Sequence, residues 1–329
     1  MKTTVAVVSI GGTLALAAGV VWLAGLREAG PGTHTTGAAP TSTPHAPAPL
    51  EHAATAFSPP QESGLPKNEF GDMVRLGEKI FEDPKQYAPN YVGNALRCSS
   101  CHLDAGRKAY SAPLWAAYVS YPAYRTKNKK VNTFAERLQD CFQYSMNGSA
   151  PPLGALTLVA LESYAHWLAT GATIDSKIAG RGFPLLQKPA VAVDYGRGKV
   201  VYEQQCALCH GSNGAGQQAY DGSMVFPSLW GDASFNWGAG MASIKNAAAF
   251  VKANMPLSHG NSLSDQDAWD VAAYMDSHER PQDPRYTQSV ETTRLKFHDS
   301  AESMYGVKIE GHVLGQGSTA PGGLRRKGI

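Results

Sequence analysis

One cysteine and histidine pattern occurs twice in this chain. Residues 98–102 have the sequence Cys-Ser-Ser-Cys-His, and residues 206–210 have the sequence Cys-Ala-Leu-Cys-His. In the pattern Cys-x-x-Cys-His, two thiols bond to the vinyl groups of one porphyrin and the adjacent histidine binds its iron. A zinc site or a redox dithiol would explain one copy, but two copies that use four of the five cysteines favour c-type haem. The sequence therefore predicts two covalent haem c groups, attached through Cys98, Cys101, Cys206 and Cys209 and ligated by His102 and His210.

Each haem iron needs a second axial ligand, whose identity tunes the reduction potential. In the second half of the chain Met255 is followed by Pro256, shortly before a predicted helix, which suits a loop that crosses the face of a haem. Met224, Met241 and His259 are competitors for the same role. We predict Met255 as the second ligand of the second haem.

The second ligand of the first haem has three interpretations. Met146 follows the first motif at almost the same offset as Met255 follows the second, which favours another methionine ligand. Cys141 is the one cysteine outside the two motifs, so it is either an iron ligand or an inert buried thiol. Position alone leaves these interpretations open, and the residues around Cys141 have to decide between them.

The neighbours of Cys141 favour a site for an anion next to sulfur. Thr133 and Glu136 form a capping-box pattern, which predicts that a helix begins there. On that helix Arg137, Cys141 and Ser145 share one face, because each is four residues from the next. A cation and a hydroxyl beside a thiol are atypical of core packing, so these three residues form our candidate catalytic group. Two basic residues that precede the helix, Arg125 and Lys127, are candidates for further substrate contacts.

The elements around the motifs are predicted to be helices. Apolar residues recur with helical spacing over residues 73–81, ahead of the first motif, and over residues 156–168, after it. The second half repeats this plan, with a closing helix that begins after the capping residue Ser264. No segment shows sustained strand alternation, so we predict an all-α fold of two tandem cytochrome c domains, with Trp167 and Tyr274 at equivalent positions. The buried stripe of the first closing helix is predicted to be Leu156, Val159, Ala160, Tyr164, Trp167 and Leu168.

Length and composition indicate about two domains. Charged residues make up 17% of the 329 residues and the net charge is +2, so no strong field of one sign indicates a nucleic acid partner. A stretch rich in Pro, Ala and Thr lacks the apolar content of a core and predicts a disordered tether. The predicted organisation is a signal or anchor helix at residues 1–28, the tether at 29–62, cytochrome c domains at 63–185 and 186–290, and a C-terminal tail at 291–329.

The N-terminal segment indicates the compartment. Residues 5–26 are apolar except for the small or weakly polar Ser9 and Thr13, and about 20 such residues span a bilayer as a helix. Cleavage after Ala17 is the alternative, because Ala15 and Ala17 have the small-x-small form of a signal-peptide cleavage site. Since c-type haem is attached outside the bacterial cytoplasmic membrane, both interpretations predict a periplasmic protein, which is anchored in the first and soluble in the second.

Several stretches beyond the haem motifs carry a family resemblance. They are Arg-Leu-Gln-Asp-Cys at 137–141, Ser-Met-Asn-Gly at 145–148, His-Trp-Leu-Ala-Thr-Gly at 166–171, Leu-Trp-Gly at 229–231, Asn-Trp-Gly-Ala-Gly-Met at 236–241, Lys-Ala-Asn-Met-Pro at 252–256 and Ser-His-Glu-Arg-Pro at 277–281. With them, residues 65–315 resemble the dihaem thiosulfate dehydrogenases that form tetrathionate.

The resemblance implies a ligand set for each iron. The active-site haem would take His102 and Cys141, and the electron-transfer haem would take His210 and Met255. Some members of the family have a lysine next to this methionine. Here the corresponding position is Asn254, which favours Met255 as the ligand.

The activity that the resemblance implies is oxidation of two thiosulfate ions to one tetrathionate, or the reverse reaction. Electrons would pass to an external periplasmic or membrane acceptor such as a small cytochrome c. Basic residues near the ligating cysteine would bind the substrate, and Arg137 and Ser145 fit that role best. The alternative from another class is a non-catalytic dihaem electron carrier that partners a membrane dehydrogenase, which Met146 as a ligand would favour. A dihaem peroxidase would need an acid-base pair beside an open iron position, and the sequence does not clearly show one.

Overall fold

The computed structural model describes residues 57–174, 178–220 and 222–319, which all belong to one compact unit. The predicted N-terminal helix at residues 1–28 and nearly all of the predicted tether lie outside these ranges. Within them, no helix is both long and apolar enough to cross a bilayer. The described chain is mainly helical, as predicted.

Helices flank both cysteine motifs. In the described part of the chain they are α1 (Glu69–Glu82), α2 (Pro84–Tyr87), α3 (Leu114–Tyr118), α4 (Phe134–Asp140), α5 (Leu156–Leu168), α6 (Tyr195–Gln205), α7 (Ala207–His210), α8 (Ile244–Asn254), α9 (Asp265–Asp276) and α10 (Val290–Phe297). A π-helical turn, Cys141–Ser145, continues α4, and 3-10 turns cover Glu62–Gly64, Pro89–Tyr91, Cys98–Ser100 and Gly240–Ala242.

Helix α1 forms where the apolar spacing predicts a helix, and it packs across α5. The side chain of Asn68 accepts a hydrogen bond from the backbone N–H of Gly71 (3.0 Å), which caps the first turn. Ile80 is buried against the core. Gly77 lies at the helix crossing, where a Cβ would come within 2.1 Å of the carbonyl oxygen of Ala160. The close approach of α1 to α5 therefore requires a glycine at this position.

The same crossing recurs in the second half between α6 and α9. A Cβ at Gly198 would lie 2.9 Å from the Cβ of Tyr274, and a Cβ at Gly77 would lie 2.7 Å from the Cβ of Tyr164. Tyr164 is therefore the counterpart of Tyr274, and the predicted equivalence of Trp167 is wrong by about one helical turn. The equivalence was predicted from the number of residues that follow each haem motif. That number misaligns the two closing helices, because the segments between motif and closing helix differ in length.

The N-terminal part of α5 buries a different face from the predicted one. Leu156 is 60% exposed and Val159 is 39% exposed, whereas Leu158 and Leu161 are buried. Nearly all positions in this part of α5 are apolar, so the spacing of apolar residues cannot select the buried face. The residues that are buried as predicted are Ala160, Tyr164, Trp167 and Leu168.

Three short antiparallel hairpins accompany the helices in the described ranges. They are β1 (Ala123–Arg125) with β2 (Lys130–Asn132), β3 (Gln217–Gln218) with β4 (Met224–Phe226), and β5 (Lys308–Ile309) with β6 (His312–Val313). Strands of two or three residues are too short to show alternation, which is why the sequence predicts none of them. The first hairpin matters for the site because its turn contains Lys127.

The chain after α9 folds back onto the second half. The carboxylate of Glu279 accepts hydrogen bonds from the backbone N–H of Gly315 (2.8 Å) and from the hydroxyl of Ser318 (2.9 Å). It also contacts the Nε2 of His312 at 2.6 Å. Burial alone would raise the pKa of Glu279, but these hydrogen bonds hold it below its usual value. The region predicted as a tail, residues 291–329, thus includes most of α10 and the hairpin of β5 and β6.

We expect Gly198→Ala to lower the free energy of unfolding by about 1–3 kcal/mol, because the added carbon must push α6 away from α9. That carbon would lie 1.9 Å from the carbonyl oxygen of Asp270. Gly196→Ala in the same helix is the control, since its Cβ would approach only the side chain of Asp194, at 3.1 Å. Chemical denaturation of the haem-loaded protein measures both variants, and equal stability would contradict the close crossing.

Candidate functional site

The first motif ends on a histidine that is fixed by the backbone. The Nδ1 of His102 donates a hydrogen bond to the carbonyl oxygen of Ala112 at 2.7 Å. Because a carbonyl only accepts, Nδ1 carries the proton and Nε2 keeps a free lone pair. Burial lowers the pKa of His102 to about 4, so the ring is neutral at physiological pH. A neutral imidazole oriented through its other nitrogen is the form in which histidine binds a metal.

Ser111 is a buried residue of this loop that the sequence did not indicate. Its hydroxyl donates to the carbonyl oxygen of Cys101 (2.8 Å) and accepts from the backbone N–H of Leu103 (3.1 Å). These two bonds hold the residues on both sides of His102 in place. A serine that acts only on the backbone carries no motif, so spacing alone could not have found it.

The second motif has the same arrangement beside an apolar cavity. The Nδ1 of His210 lies 3.0 Å from the carbonyl oxygen of Pro227, and burial lowers the pKa of His210. The adjacent cavity has a volume of ≈ 280 Å³. Met255 lines this cavity, whereas its competitor His259 does not. The sulfur-containing residues of the lining are Cys101, Cys206, Cys209, Met224, Met241, Met255 and Met275.

The residues at both motifs fit a covalently bound haem. None of the five cysteines, all within the described ranges, is in a disulfide. Burial raises the pKa of Cys101 and of Cys206 to about 11, so both remain thiols, which are the groups that bond to the porphyrin vinyl carbons. Each cysteine pair is followed by a neutral histidine with a free Nε2. The two pairs with His102 and His210 would therefore hold two haems.

The two haem sites adjoin each other. Cys101 of the first motif lines the cavity beside His210 of the second. Nearby, the side-chain amide of Asn94 donates hydrogen bonds to the carbonyl oxygens of Ser145 (2.9 Å) and Ser234 (3.1 Å). Ser145 belongs to the first half of the chain and Ser234 to the second. The two halves therefore meet next to the haem sites.

The segment that carries Cys141 is an α-helix that changes to a π-helical turn. The capping box is present as predicted: the backbone N–H of Glu136 donates to the hydroxyl of Thr133 (3.2 Å), and the backbone N–H of Thr133 donates to the carboxylate of Glu136 (2.8 Å). Helix α4 ends at Asp140, and the backbone N–H of Met146 then donates to the carbonyl oxygen of Cys141 at 2.9 Å. Such π-helical turns are frequent at functional sites.

Arg137 and Cys141 are in direct contact. The Nη1 of Arg137 donates to the Sγ of Cys141 at 2.9 Å, and the negative charge of a Cys141 thiolate raises the pKa of Arg137. Cys141 also lies close enough to the first motif for its thiolate to raise the pKa of Cys98 and of Cys101, in addition to the larger effect of burial. The structure thus brings Arg137, Cys141 and the first motif together.

Ser145 and Met146 have other surroundings. No hydrogen bond joins the hydroxyl of Ser145 to Cys141 in the described chain, and the carbonyl of Ser145 accepts from Asn94. Met146 is 3% exposed and belongs to the core, with its carbonyl bonded to the backbone N–H of Gly93 at 2.9 Å. Arg137 is therefore the member of the predicted catalytic group that contacts the Cys141 sulfur.

The two remaining predicted cations differ in their partners. Arg125 forms an ion pair with Asp140 at the end of α4. Lys127 lies over the ring of Tyr144, with 4.0 Å between its Nζ and the ring centroid. Arg285, which the sequence did not indicate, lies over the same ring, with its guanidinium carbon at 5.1 Å from the centroid. It is distant in sequence from Cys141 and belongs to no recognisable motif, so only the fold could bring it here.

A loop of the second half holds the π-helical turn. The side-chain amide of Asn236 donates a hydrogen bond to the carbonyl oxygen of Gln143 (2.9 Å). The backbone N–H of Asn236 donates to the carbonyl oxygen of Tyr144 (3.2 Å). Two residues later, a Cβ at Gly238 would lie 2.5 Å from the Tyr144 ring. The carbonyl of Gly238 also accepts a hydrogen bond from the ammonium of Lys127. The second half therefore contributes directly to the surroundings of Cys141.

Family comparisons assign the two halves. Residues 84–174 match the family described as SoxA/TsdA, cytochrome c domain, and residues 193–275 match the family described as cytochrome C oxidase, cbb3-type, subunit III. Each matched region contains one Cys-x-x-Cys-His motif. The fold and the sites thus define a protein of two cytochrome c domains that binds two haem c groups covalently.

Individual relatives narrow this class further. The chain is 62% identical over 259 residues to a thiosulfate dehydrogenase of Thiomonas intermedia (strain K12), which covers 79% of this chain and 82% of the relative. It is 55% identical over 263 residues to a thiosulfate dehydrogenase of Stutzerimonas stutzeri (strain A1501), with 79% and 85% covered. The solved structure of thiosulfate dehydrogenase (TsdBA) from Marichromatium purpuratum in its "as isolated" form matches with a TM-score of 0.77 and 51% identity, over 81% of this chain and 59% of that chain. This chain belongs to the thiosulfate dehydrogenase family.

We expect Met255→Leu to abolish the weak near-infrared band that methionine sulfur gives with ferric haem, because leucine fills a similar volume but offers no ligand. Met224→Leu and Met241→Leu are the controls, since both methionines line the same cavity. Near-infrared absorption of the oxidised holoprotein measures the band. If it persists without Met255 and disappears with another methionine, that residue is the ligand.

Proposed function

We propose that this chain oxidises two thiosulfate ions to one tetrathionate at the first haem site and passes the electrons through the second haem to an external acceptor. The balanced reaction converts two thiosulfate dianions into one tetrathionate dianion and two electrons. The observation that carries the proposal is the contact between Arg137 and the Cys141 sulfur beside the first motif. This contact places a cation beside a sulfur atom, and the chain belongs to the thiosulfate dehydrogenase family.

The chain's own residues have three tasks in this reaction. They hold two dianions at once, which requires local positive charge to offset their repulsion. They present the Cys141 sulfur where the outer sulfur atoms of two thiosulfates are to be joined. They also conduct electrons away from that point. Arg137 serves the first two tasks, because it bonds to Cys141 and remains cationic.

The haem-holding residues serve the third task. His102 and Cys141 would hold the first iron, and His210 and Met255 would hold the second. When bound, the two haems supply two one-electron acceptors, which match the two electrons released. The external acceptor that we propose is a small cytochrome c in the periplasm or at the membrane.

We further propose that the protein acts on the periplasmic side of the cytoplasmic membrane and is anchored there by residues 5–26. The support is the length of this apolar segment and the haem attachment motifs. Cell fractionation tests the anchor: the protein should require detergent for release. A soluble mature form that begins after Ala17 would show instead that the segment is a cleaved signal peptide.

Turnover by the full chain tests the proposed activity. The protein is produced with a cytochrome c maturation system, and intact mass confirms two haems per chain. Thiosulfate with an artificial one-electron acceptor should then give saturable turnover. A holoprotein whose haems are reduced by chemical reductants but that does not oxidise thiosulfate would contradict the proposal and favour the non-catalytic electron carrier.

A further inference from the structure

A buried ion pair lies behind one wall of the cavity beside His210. Asp276 is the last residue of α9, and Arg280 follows it by four residues within the Ser-His-Glu-Arg-Pro stretch. The Nη2 of Arg280 donates to a carboxylate oxygen of Asp276 at 3.1 Å, and neither side chain is exposed. We call Arg280 and Asp276 the buried pair. The proposed reaction gives this pair no role.

Arg280 contacts three residues of the cavity wall. Its Nη1 donates to the carbonyl oxygen of Leu229 (3.2 Å), and its Nη2 donates to that of Met275 (3.0 Å). Its guanidinium carbon lies 4.3 Å from the centroid of the Phe235 ring. Leu229, Met275 and Phe235 all line the cavity. A single layer of residues therefore separates the charge of Arg280 from a haem in this cavity.

Stability does not account for the buried pair. The Nε of Arg280 and the second carboxylate oxygen of Asp276 are buried without a hydrogen-bond partner in the described chain. Asp276 also stands at the C-terminal end of α9, where the helix dipole disfavours a negative charge. The desolvation of a buried ion pair can outweigh its attraction, so apolar residues of similar volume are often equally stabilising. These costs favour a role for the pair toward the haem.

The first half of the chain lacks a buried pair at the equivalent positions. Because the tyrosines at the two helix crossings correspond, His166 and Thr170 take the places of Asp276 and Arg280. His166 and Thr170 are both exposed. The buried pair is therefore a difference between the surroundings of the two haems.

We propose that the buried pair sets the reduction potential of the second haem, with Arg280 raising the potential and Asp276 lowering it. Oxidation of the iron adds one positive charge to the haem, which a nearby cation disfavours and a nearby anion favours. Water does not screen these two charges, because both side chains are buried. The inference requires the second haem but not the oxidation of thiosulfate. Within the proposed function, a higher potential at the second haem draws electrons from the first.

The effect of Asp276 depends on pH. Burial raises the pKa of Asp276 to about 7, although the charge of Arg280 acts in the opposite direction. Below this pH Asp276 is neutral and the cation acts alone, whereas above it the carboxylate offsets the cation. The potential of the second haem is therefore expected to fall as the pH rises through about 7, where oxidation of the iron releases a proton from Asp276 to solvent.

The other ionisable groups beside the buried pair follow α9 directly. Burial lowers the pKa of Arg280, while Asp276 and Glu279 raise it, and an arginine stays charged at all pH values used. Burial lowers the pKa of His278, and the charge of Arg280 lowers it further. Helices α6 and α8 pack against α9, but among the described residues no group of either helix shifts the pKa of Asp276 or Arg280.

Removing each charge in turn tests the pair. At about pH 6, Arg280→Gln is expected to lower the equilibrium constant for reduction of the second haem about tenfold or more, because a buried cation is lost while Asp276 stays neutral. At about pH 9, Asp276→Asn is expected to raise this constant by a similar factor, because Arg280 keeps its charge. A tenfold change is about 59 mV for one electron. A purely structural role would lower the stability of both variants without these opposite shifts.

Redox titration of the holoprotein, followed by visible and near-infrared absorption, measures the potentials of both haems. The second haem is identified as the component whose near-infrared spectrum changes when a methionine of the cavity is replaced. Arg197→Gln is the matched control, because Arg197 also pairs with an aspartate of α9, Asp270, at 2.7 Å but is exposed. This control is expected to keep the potential of the unaltered protein.

Asp276→Asn also separates Asp276 from the haem propionates, which are ionisable as well. The potential of the second haem in this variant is expected to lose the fall that the unaltered protein shows between about pH 6 and 9. An equal fall in Asp276→Asn would overturn the role of Asp276. This comparison needs no Arg280 variant, so it remains decisive if Arg280→Gln fails to fold.

The outcomes distinguish the buried pair from the activity. Unchanged potentials of the second haem in both Arg280→Gln and Asp276→Asn would overturn the inference, whether or not the protein oxidises thiosulfate. Opposite shifts at the second haem, in a holoprotein that does not oxidise thiosulfate, would support the inference and overturn the proposed function.

Discussion

Replacing Cys141 with alanine is expected to lower the rate of thiosulfate oxidation by ~10³-fold or more, the scale seen when a residue in direct contact with the reacting atoms is lost. The variant removes the sulfur atom that Arg137 contacts, which is also the proposed ligand of the first iron. Both covalent haems are expected to remain, because attachment uses the motif cysteines. Steady-state turnover together with intact mass measures both effects.

Met146→Leu is the matched control for Cys141→Ala. Met146 is the rival ligand and lies in the core, and leucine keeps its volume, so this variant is expected to retain the rate and the spectrum of the first haem. If Met146→Leu changes that spectrum while Cys141→Ala keeps normal turnover, the catalytic assignment is wrong. Met146 would then be the ligand, and the electron-carrier hypothesis would gain support.

Replacing Arg137 with glutamine is expected to lower kcat/KM by about 10²-fold, because it removes a cation from the point where two dianions meet. The sequence alone indicated mainly a loss of substrate binding. The 2.9 Å contact with Cys141 adds a second effect, since the proposed sulfur ligand loses the cation that is bonded to it. The reduction potential of the first haem is therefore expected to fall.

Redox titration of Arg137→Gln separates the effect on sulfur from the effect on substrate. Arg137→Lys should recover part of both properties because it restores the charge. Arg75→Gln is a control, because Arg75 is a half-buried residue of α1 that pairs with Asp72. If Arg137→Gln leaves both kcat/KM and the potential unchanged, Arg137 has no role at this site.

The haem sites were readable from the sequence because their chemistry is local. Two cysteines and a histidine within five residues predict covalently bound haem, and the capping pattern of Thr133 and Glu136 predicts where helix α4 begins. Arg137 and Cys141 lie one helical turn apart within that helix, so their contact also follows from local geometry. Helix α1 could also be predicted from the sequence, because the spacing of its apolar residues is a local pattern.

The rest of the site depends on contacts between distant segments. Arg285 reaches Tyr144 only because the chain after α9 returns to the first half, and Asn236 supports the Cys141 turn across the domain interface. No local pattern encodes either contact. The change from α-helix to π-helix at Cys141 was also unpredicted, because hydrogen-bond register in a helix is chosen by such tertiary contacts.

The closing helices show where periodicity fails. The N-terminal part of α5 is apolar at nearly every position, so its own pattern could not select the face that packs against Gly77 of α1. The same glycine contact identifies Tyr164 as the counterpart of Tyr274, which residue counting had missed. Short strands such as β1 and β2 are defined by their pairing, and pairing is invisible in a run of three residues.

The stoichiometry of thiosulfate oxidation tests the central proposal most directly. The holoprotein is incubated with a limiting amount of thiosulfate and an excess of a one-electron acceptor, and the remaining thiosulfate, the tetrathionate formed and the reduced acceptor are all quantified. The proposed reaction predicts one tetrathionate for every two thiosulfates consumed and one acceptor reduced for each thiosulfate. Sulfite or sulfate as the product, or more than one electron per thiosulfate, would contradict it.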